Sequence, residues 1–205
     1  QLLGGAVEIS GKVSSQFITA LLLIAPYLKN GLELTIKDEL VSKPYVHMTI
    51  ELMKEFGASV TWNDNKIMVL PIPYIYYKKE FVVESDWSAA SYYYSLVALS
   101  KIGTQLIVRN LFKNSLQADS ACVNIYKNFG IETSFENNEI VVSKISEANI
   151  SKFELDFIQC PDIAQTVVCT CIGLNVPFKF TGLQTLKVKE TDRITALQNE
   201  LKKFG

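Results

Sequence analysis

Histidine is nearly missing from this 205-residue sequence: His47 is the only one, so neither a histidine-based metal centre nor a triad built on several histidines is available. Cysteine is sparse as well. The four residues, Cys122, Cys160, Cys169 and Cys171, lack zinc-finger spacing, and Cys169 and Cys171 fall inside an apolar run, which reads as reduced core thiols in a cytosolic setting. There is no excess charge of either sign, with 20 Lys and Arg against 21 Asp and Glu. That balance excludes a nucleic acid or an acidic membrane held by bulk electrostatics. The longest apolar run, Phe17 to Ala25, is too short to span a bilayer and is followed by Pro26. No signal peptide is visible. A start at Gln1 and an end at Phe204-Gly205 read as an excerpt from a longer protein.

What is present is hydrophobic residues in ordered repeats. They make up 48% of the chain against 20% charged, enough for a packed core. Met53-Lys54-Glu55-Phe56-Gly57 returns as Tyr126-Lys127-Asn128-Phe129-Gly130 and again as Leu201-Lys202-Lys203-Phe204-Gly205, at spacings of 73 and 75 residues. Ser14-Ser15 returns 74 residues later as Ser88-Ala89, and the same step reaches Asp162.

Each copy is expected to open with a short alternating strand: Val7 and Ile9, then Phe81 and Val83, then Phe153 and Leu155. An apolar helix follows, over Phe17–Leu28, Ala89–Lys101 and Ile163–Leu174. These three runs are apolar on all sides and are expected to be buried, with Tyr92-Tyr93-Tyr94 packing the second. A second strand comes next: Leu32, Leu34 and Ile36; Leu106 and Val108; Phe178 and Phe180. Then an amphipathic helix ends in Phe-Gly, where glycine supplies the left-handed cap. In the third copy its stripe is Ile194, Leu197, Leu201 and Phe204. Hairpins turning at Asn63-Asp64-Asn65 and Asn137-Asn138 close the first two copies. The predicted class is therefore α/β, in β-α-β-α-β-β units, two complete and the third truncated. A boundary is expected near Tyr77–Lys79.

Strand-helix-strand connections imply right-handed crossovers, so both helices of a unit start at one rim. In the first unit that rim gathers Ser14, Ser15, Gln16, Ser42 and Tyr45, with Ser42 as N-cap before Lys43-Pro44. In the third it gathers Asp162 with Lys189-Glu190-Thr191-Asp192-Arg193. A helix start offers unpaired N–H groups and a partial positive charge worth roughly 0.3–1 kcal/mol toward an anion. Charge-assisted bonds to a phosphate add about 1.5–3 kcal/mol each. Taken singly, Ser14 and Ser42 read as ordinary caps. Lys189 and Arg193 oppose a helix start, which points to an anionic ligand, and Asp162 with Glu190 form a candidate acid/base pair. His47 is expected on the surface.

Gly11 to Leu22, Ser42 to Tyr45, Met53 to Gly57, Glu84 to Tyr92, Pro161-Asp162 and Val188 to Arg193, in this order, resemble the 5-enolpyruvylshikimate-3-phosphate synthases. The resemblance implies an enolpyruvyl transferase-like fold: two globular halves of three units each, closing over substrates. Residues 1–82 would then be the last unit of the first half, and 83–205 the first unit and part of the next in the second.

It implies transfer of the enolpyruvyl group of phosphoenolpyruvate to the 5-hydroxyl of shikimate 3-phosphate, with release of phosphate, in chorismate and aromatic amino acid biosynthesis. No metal or cofactor is implied, nor a nucleic-acid or membrane partner; a cytoplasmic monomer is. By resemblance, Ser14, Ser15, Ser42 and Lys189 hold the shikimate phosphate, Gln16 and Tyr45 lie near the ring, and Asp162 deprotonates the 5-hydroxyl. Gln16 and Arg193 contact phosphoenolpyruvate, and Glu190 handles the proton at the enol carbon.

The sequence departs from the pattern in three places. Thr185 stands where some members carry Asn, Lys187 where Arg is usual, and His47 where an acid is frequent. Basic residues drawn from both ends of the family sequence are missing, so these 205 residues alone are expected to show negligible turnover. The rivals are a UDP-N-acetylglucosamine enolpyruvyl transferase and a non-catalytic repeat scaffold binding a phosphorylated ligand. The first is disfavoured because it lacks the Ser-Ser-Gln helix start and the Lys-Glu-Thr-Asp-Arg segment. The second predicts that Asp162→Asn and Glu190→Gln are harmless.

Overall fold

The computed structural model describes residues 2–204 and divides into two compact units that meet between Phe81 and Val82. In the first, alternation of Leu32, Leu34 and Ile36 builds a strand whose apolar side chains all face one core. The elements are β1 (Gly5–Ser10), α1 (Ser15–Ile24), β2 (Leu32–Lys37), α2 (Lys43–Glu55), β3 (Val60–Asn63) and β4 (Lys66–Val69). Strand order is β1-β2-β4-β3, with β1 parallel to β2 and both β2 and β3 antiparallel to β4.

Val46, Ile50 and Met53 of α2 recur at helical spacing and bury against Ile18 and Leu22 of α1 and the sheet. Gly57 takes φ +87° after α2, the left-handed cap expected of Phe-Gly. Asp64, at φ +51°, turns the β3–β4 hairpin.

The second unit holds α3 (Trp87–Ala98), β5 (Gln105–Arg109), α4 (Cys122–Lys127), β6 (Ile131–Glu136) and β7 (Glu139–Lys144). It continues with β8 (Phe153–Asp156), α5 (Ala164–Gly173), β9 (Phe178–Thr181) and α6 (Arg193–Leu201). Strands β5-β7-β6 form an antiparallel sheet, and β8 and β9 a parallel pair. The hairpin between β6 and β7 turns on Asn137 and Asn138, both at positive φ. Gly130 repeats the left-handed cap at φ +76°; the third expected cap, Gly205, lies outside the described residues.

Several expectations are corrected. Phe81 and Val83 form no strand and are exposed, so the second copy lacks its opening strand among the described residues. The chain is held there instead by the Glu84 carboxylate, which accepts from Trp87 Nε1 (2.8 Å), the Phe112 amide (3.0 Å), Ser115 Oγ (2.8 Å) and Gln117 Nε2 (3.2 Å). The apolar helices are each buried on one side only. On α1, Phe17 is 64% exposed, with Leu23 and Ile24 also open; on α3, Tyr94 is buried but Tyr92 and Tyr93 are exposed. Helix α1 is also shorter than expected, since Pro26 tightens Ala25–Tyr27 into a 3₁₀ turn. Cys169 is exposed rather than core, while Cys171 is buried as expected; Cys122 and Cys160 are buried as well. Phe204 is exposed and does not continue the α6 stripe.

Candidate active site

Parallel pairing of β1 with β2 sends α1 and α2 away from the same sheet end, so their first turns share a rim. Gly11 makes the approach close. Its amide donates to the Lys37 carbonyl (2.6 Å), its own carbonyl accepts from Val41, and a Cβ there would lie 2.7 Å from the Glu39 carbonyl oxygen. The 38–42 loop therefore crosses directly over Gly11, three residues ahead of Ser14.

Ser14 caps α1 by accepting from the Gln16 amide at 3.4 Å. Ser14, Ser15 and Ser42 are buried; Gln16 is exposed and Tyr45 half-buried. Ser42 occupies the N-cap position of α2, but its side chain makes no capping bond and its backbone is left-handed at φ +60°. That corrects the expectation of a simple cap. Lys12 and Lys43 flank the rim. Lys12 Nζ lies 3.3 Å from Asp38, and Lys43 Nζ sits 5.0 Å from the centre of the Trp62 ring. His47 is on the surface, as expected.

The start of α3, the equivalent place in the second copy, is filled by the protein itself. Asp86 Oδ1 accepts from the Ser88 amide at 2.8 Å, Gln117 Oε1 from the Trp87 amide at 2.9 Å, and Ser88 Oγ donates to the buried Asp119. Acceptors and carboxylates there leave no welcome for an anion.

In the third copy Asp162 lies in a 3₁₀ turn (Pro161–Ile163) that runs into α5. Its Oδ1 is 3.3 Å from Lys189 Nζ and 3.2 Å from an Arg193 terminal nitrogen, and the other end of the Arg193 fork donates to Glu190 at 2.8 Å. The structure thus gathers Asp162, Lys189, Glu190 and Arg193 into one cluster. Lys189 is nearly enclosed, with its side chain 10% exposed, whereas that of Glu190 is 67% exposed. A backbone N–H bond, reinforced by Arg193, holds the Glu190 carboxyl below its usual range.

Helix α6 begins at Arg193, so Lys189 and Glu190 precede it rather than occupying its first turn. Its cap is Asp192, whose Oδ1 accepts from the amides of Ile194 (3.1 Å) and Thr195 (3.0 Å). The sequence marks Asp192 as an acid that favours this helix start, and the structure makes it the cap. Thr185 is buried, and its hydroxyl has no partner among the described residues. Behind Arg193, Ile194, Leu197 and Leu201 line an apolar cavity of about 270 Å³ with Phe178, Phe180 and Leu186. Burial raises the thiols of Cys122, Cys160 and Cys171, and partial desolvation raises that of the more exposed Cys169, so none is primed as a nucleophile. Among the described residues, no helix is long and apolar enough to cross a membrane.

The sequence profile of EPSP synthase (3-phosphoshikimate 1-carboxyvinyltransferase) matches residues 1–205. A 3-phosphoshikimate 1-carboxyvinyltransferase of Bacteroides fragilis (strain YCH46) is 48% identical over 206 residues, covering 100% of this chain and 49% of that protein. One from Methanosphaera stadtmanae is 33% identical, over 98% of this chain and 47% of that protein. The chain spans about half the length of the curated relatives it matches. Among solved structures, EPSP synthase from Acinetobacter baumannii matches with a TM-score of 0.62 at 17% identity, covering 96% of this chain and 45% of that one, which shows a shared fold. With the profile matched from end to end and relatives this similar across the whole chain, the chain belongs to the EPSP synthase (3-phosphoshikimate 1-carboxyvinyltransferase) family.

Proposed function

We propose that this chain forms the central part of a cytoplasmic, monomeric enzyme of aromatic amino acid biosynthesis. The enzyme transfers the enolpyruvyl group of phosphoenolpyruvate to the 5-hydroxyl of shikimate 3-phosphate and releases inorganic phosphate. Residues 1–82 complete one globular half and 83–205 begin the other. The observation that carries this reading is the convergence of Lys189 and Arg193 on Asp162, with Glu190 on the far side of Arg193. Two cations and two carboxylates in one cluster suit a reaction that joins two anionic substrates while moving protons.

Ser14, Ser15 and Ser42, with Lys189, bind the shikimate phosphate, and Gln16 and Tyr45 set the ring. Asp162 accepts the proton of the 5-hydroxyl as its oxygen bonds to C2 of phosphoenolpyruvate. Glu190 supplies a proton to C3, giving a methyl group. Loss of a methyl proton back to Glu190 then expels phosphate, which takes up the proton held on Asp162, and restores the double bond. Arg193, shared between two carboxylates, turns to phosphoenolpyruvate (as does Gln16); that would remove the second of the interactions that lower the Glu190 carboxyl, its backbone N–H bond being the first.

Phosphate release by the complete protein tests this. Turnover should require both substrates, and Asp162→Asn and Glu190→Gln should each lower kcat by about 10²–10⁴-fold. The 205 residues alone should turn over negligibly. No phosphate release by the complete wild-type protein, with shikimate 3-phosphate still bound equally well by wild type and both variants, would instead favour the non-catalytic scaffold.

A further inference from the structure

Helices α3 and α5 meet through hydroxyls set one repeat apart. Ser91 Oγ lies 2.9 Å from Thr166 Oγ1, and Ser95 Oγ 2.8 Å from Thr170 Oγ1; both pairs are separated by 75 residues. The Tyr126 hydroxyl closes the array at 3.0 Å from Thr170 Oγ1. All five side chains are buried: Ser91, Thr170 and Tyr126 are at 0% exposure, Thr166 at 5% and Ser95 at 8%. The remaining capacity is met by main chain, through the Ser88 carbonyl for Ser91 and the Thr166 carbonyl for Thr170.

An apolar seam of Ala, Val and Cys could have held these helices together. Such contact is non-directional, so it tolerates axial slip and rotation. A hydroxyl ladder does not. Sliding α5 by one residue moves it about 1.5 Å along its axis and turns it by about 100°, unpairing both rungs. The rungs thus set the axial register and rotation of α5. Asp162 stands four residues before Thr166, in the 3₁₀ turn that runs directly into the first turn of α5, so the rotation of α5 carries it. The equivalent places on α1 are Phe17 and Leu21, so the ladder is confined to the pair of helices that bears Asp162.

We propose that Ser91, Ser95, Thr166 and Thr170 are positioning residues for the reaction: they fix the rotation of α5 and so the aim of the Asp162 carboxylate. This rests on the catalytic role given to Asp162 above. Misplacing a reacting group by about 1 Å can cost on the order of 100-fold in rate.

The test uses the complete protein, steady-state phosphate release and thermal melts. Ser91→Ala/Ser95→Ala truncates one side of both rungs. The fourfold variant that adds Thr166→Val and Thr170→Val, made in a Tyr126→Phe background so that the hydroxyl paired with Thr170 is not left unmet, removes both sides and restores stability because no hydroxyl of the array is left facing an apolar group. The expected result is that kcat falls about tenfold or more in both variants, with KM for each substrate within about threefold, and stays low in the fourfold variant although its melting temperature recovers.

Recovery of kcat together with melting temperature, or a wild-type kcat in either variant, would overturn the proposal and leave the ladder a packing feature. Asp162→Asn separates the two levels. If it is inactive while the ladder variants turn over normally, only the positioning role fails; if it is fully active, the functional reading fails and the positioning role with it.

Discussion

Replacing Glu84 by Ala removes the one carboxylate that stands in for the missing strand of the second copy. Four donors converge on it, and Trp87, which supplies one through Nε1, is fully buried. A hydrogen bond to a charged acceptor is worth about 1.5–3 kcal/mol, and a buried donor left unpaired costs a similar amount. The Phe112 amide, Ser115 and Gln117 are only half-buried and regain water, so most of their share returns. The loss should therefore come to about 2–4 kcal/mol, dominated by the indole N–H.

Glu84→Gln should lose roughly half as much, because its amide keeps one acceptor oxygen but turns a donor toward other donors. The chain carries one reporter in each unit, Trp62 and Trp87. Urea unfolding followed by fluorescence, in a Trp62→Phe background, reads the second unit alone. The reasoning is refuted if Glu84→Ala moves the Trp87 transition by less than about 0.5 kcal/mol, or if Trp62, in the intact background, reports the larger loss.

Gly11→Ala should destabilise the first unit by about 1–3 kcal/mol in urea, because backbone rather than a flexible side chain stands 2.7 Å from the new Cβ. An unchanged midpoint would mean that the 38–42 loop yields freely. Glu190 should titrate below its usual range in a carboxyl ¹³C NMR experiment, with Glu190→Gln as assignment control, and Arg193→Ala should move its midpoint upward. Because its folded value is depressed, its contribution is present above the unfolded pKa and disappears as pH falls through the folded one. Acid unfolding of the Glu190→Gln variant should accordingly be less steep than that of the wild type over that window.

The repeat, the alternation of strands and helices, the Phe-Gly caps and the asparagine hairpins were legible in the sequence, because each is set by local rules of periodicity and allowed φ. The candidate rims followed from them, since crossover handedness is nearly invariant. Other features depend on what a residue faces, which no window of sequence contains. Phe81 and Val83 have strand character but find no pairing partner, and the Glu84 carboxylate holds the chain in their place. Tyr92, Tyr93 and Cys169 lie in apolar runs yet point outward, because a helix packed on one side buries only one stripe.

Ser91, Ser95, Thr166 and Thr170 look unremarkable in a helix, and only packing α3 on α5 makes them rungs. Asp162 meets Lys189 and Arg193 across 27 and 31 residues of chain, at distances that three-dimensional folding alone decides. Local chemistry thus determined the parts and the end of the sheet at which they gather; long-range packing decided which side chains touch, because contact energies depend on neighbours that the chain brings together only when it folds.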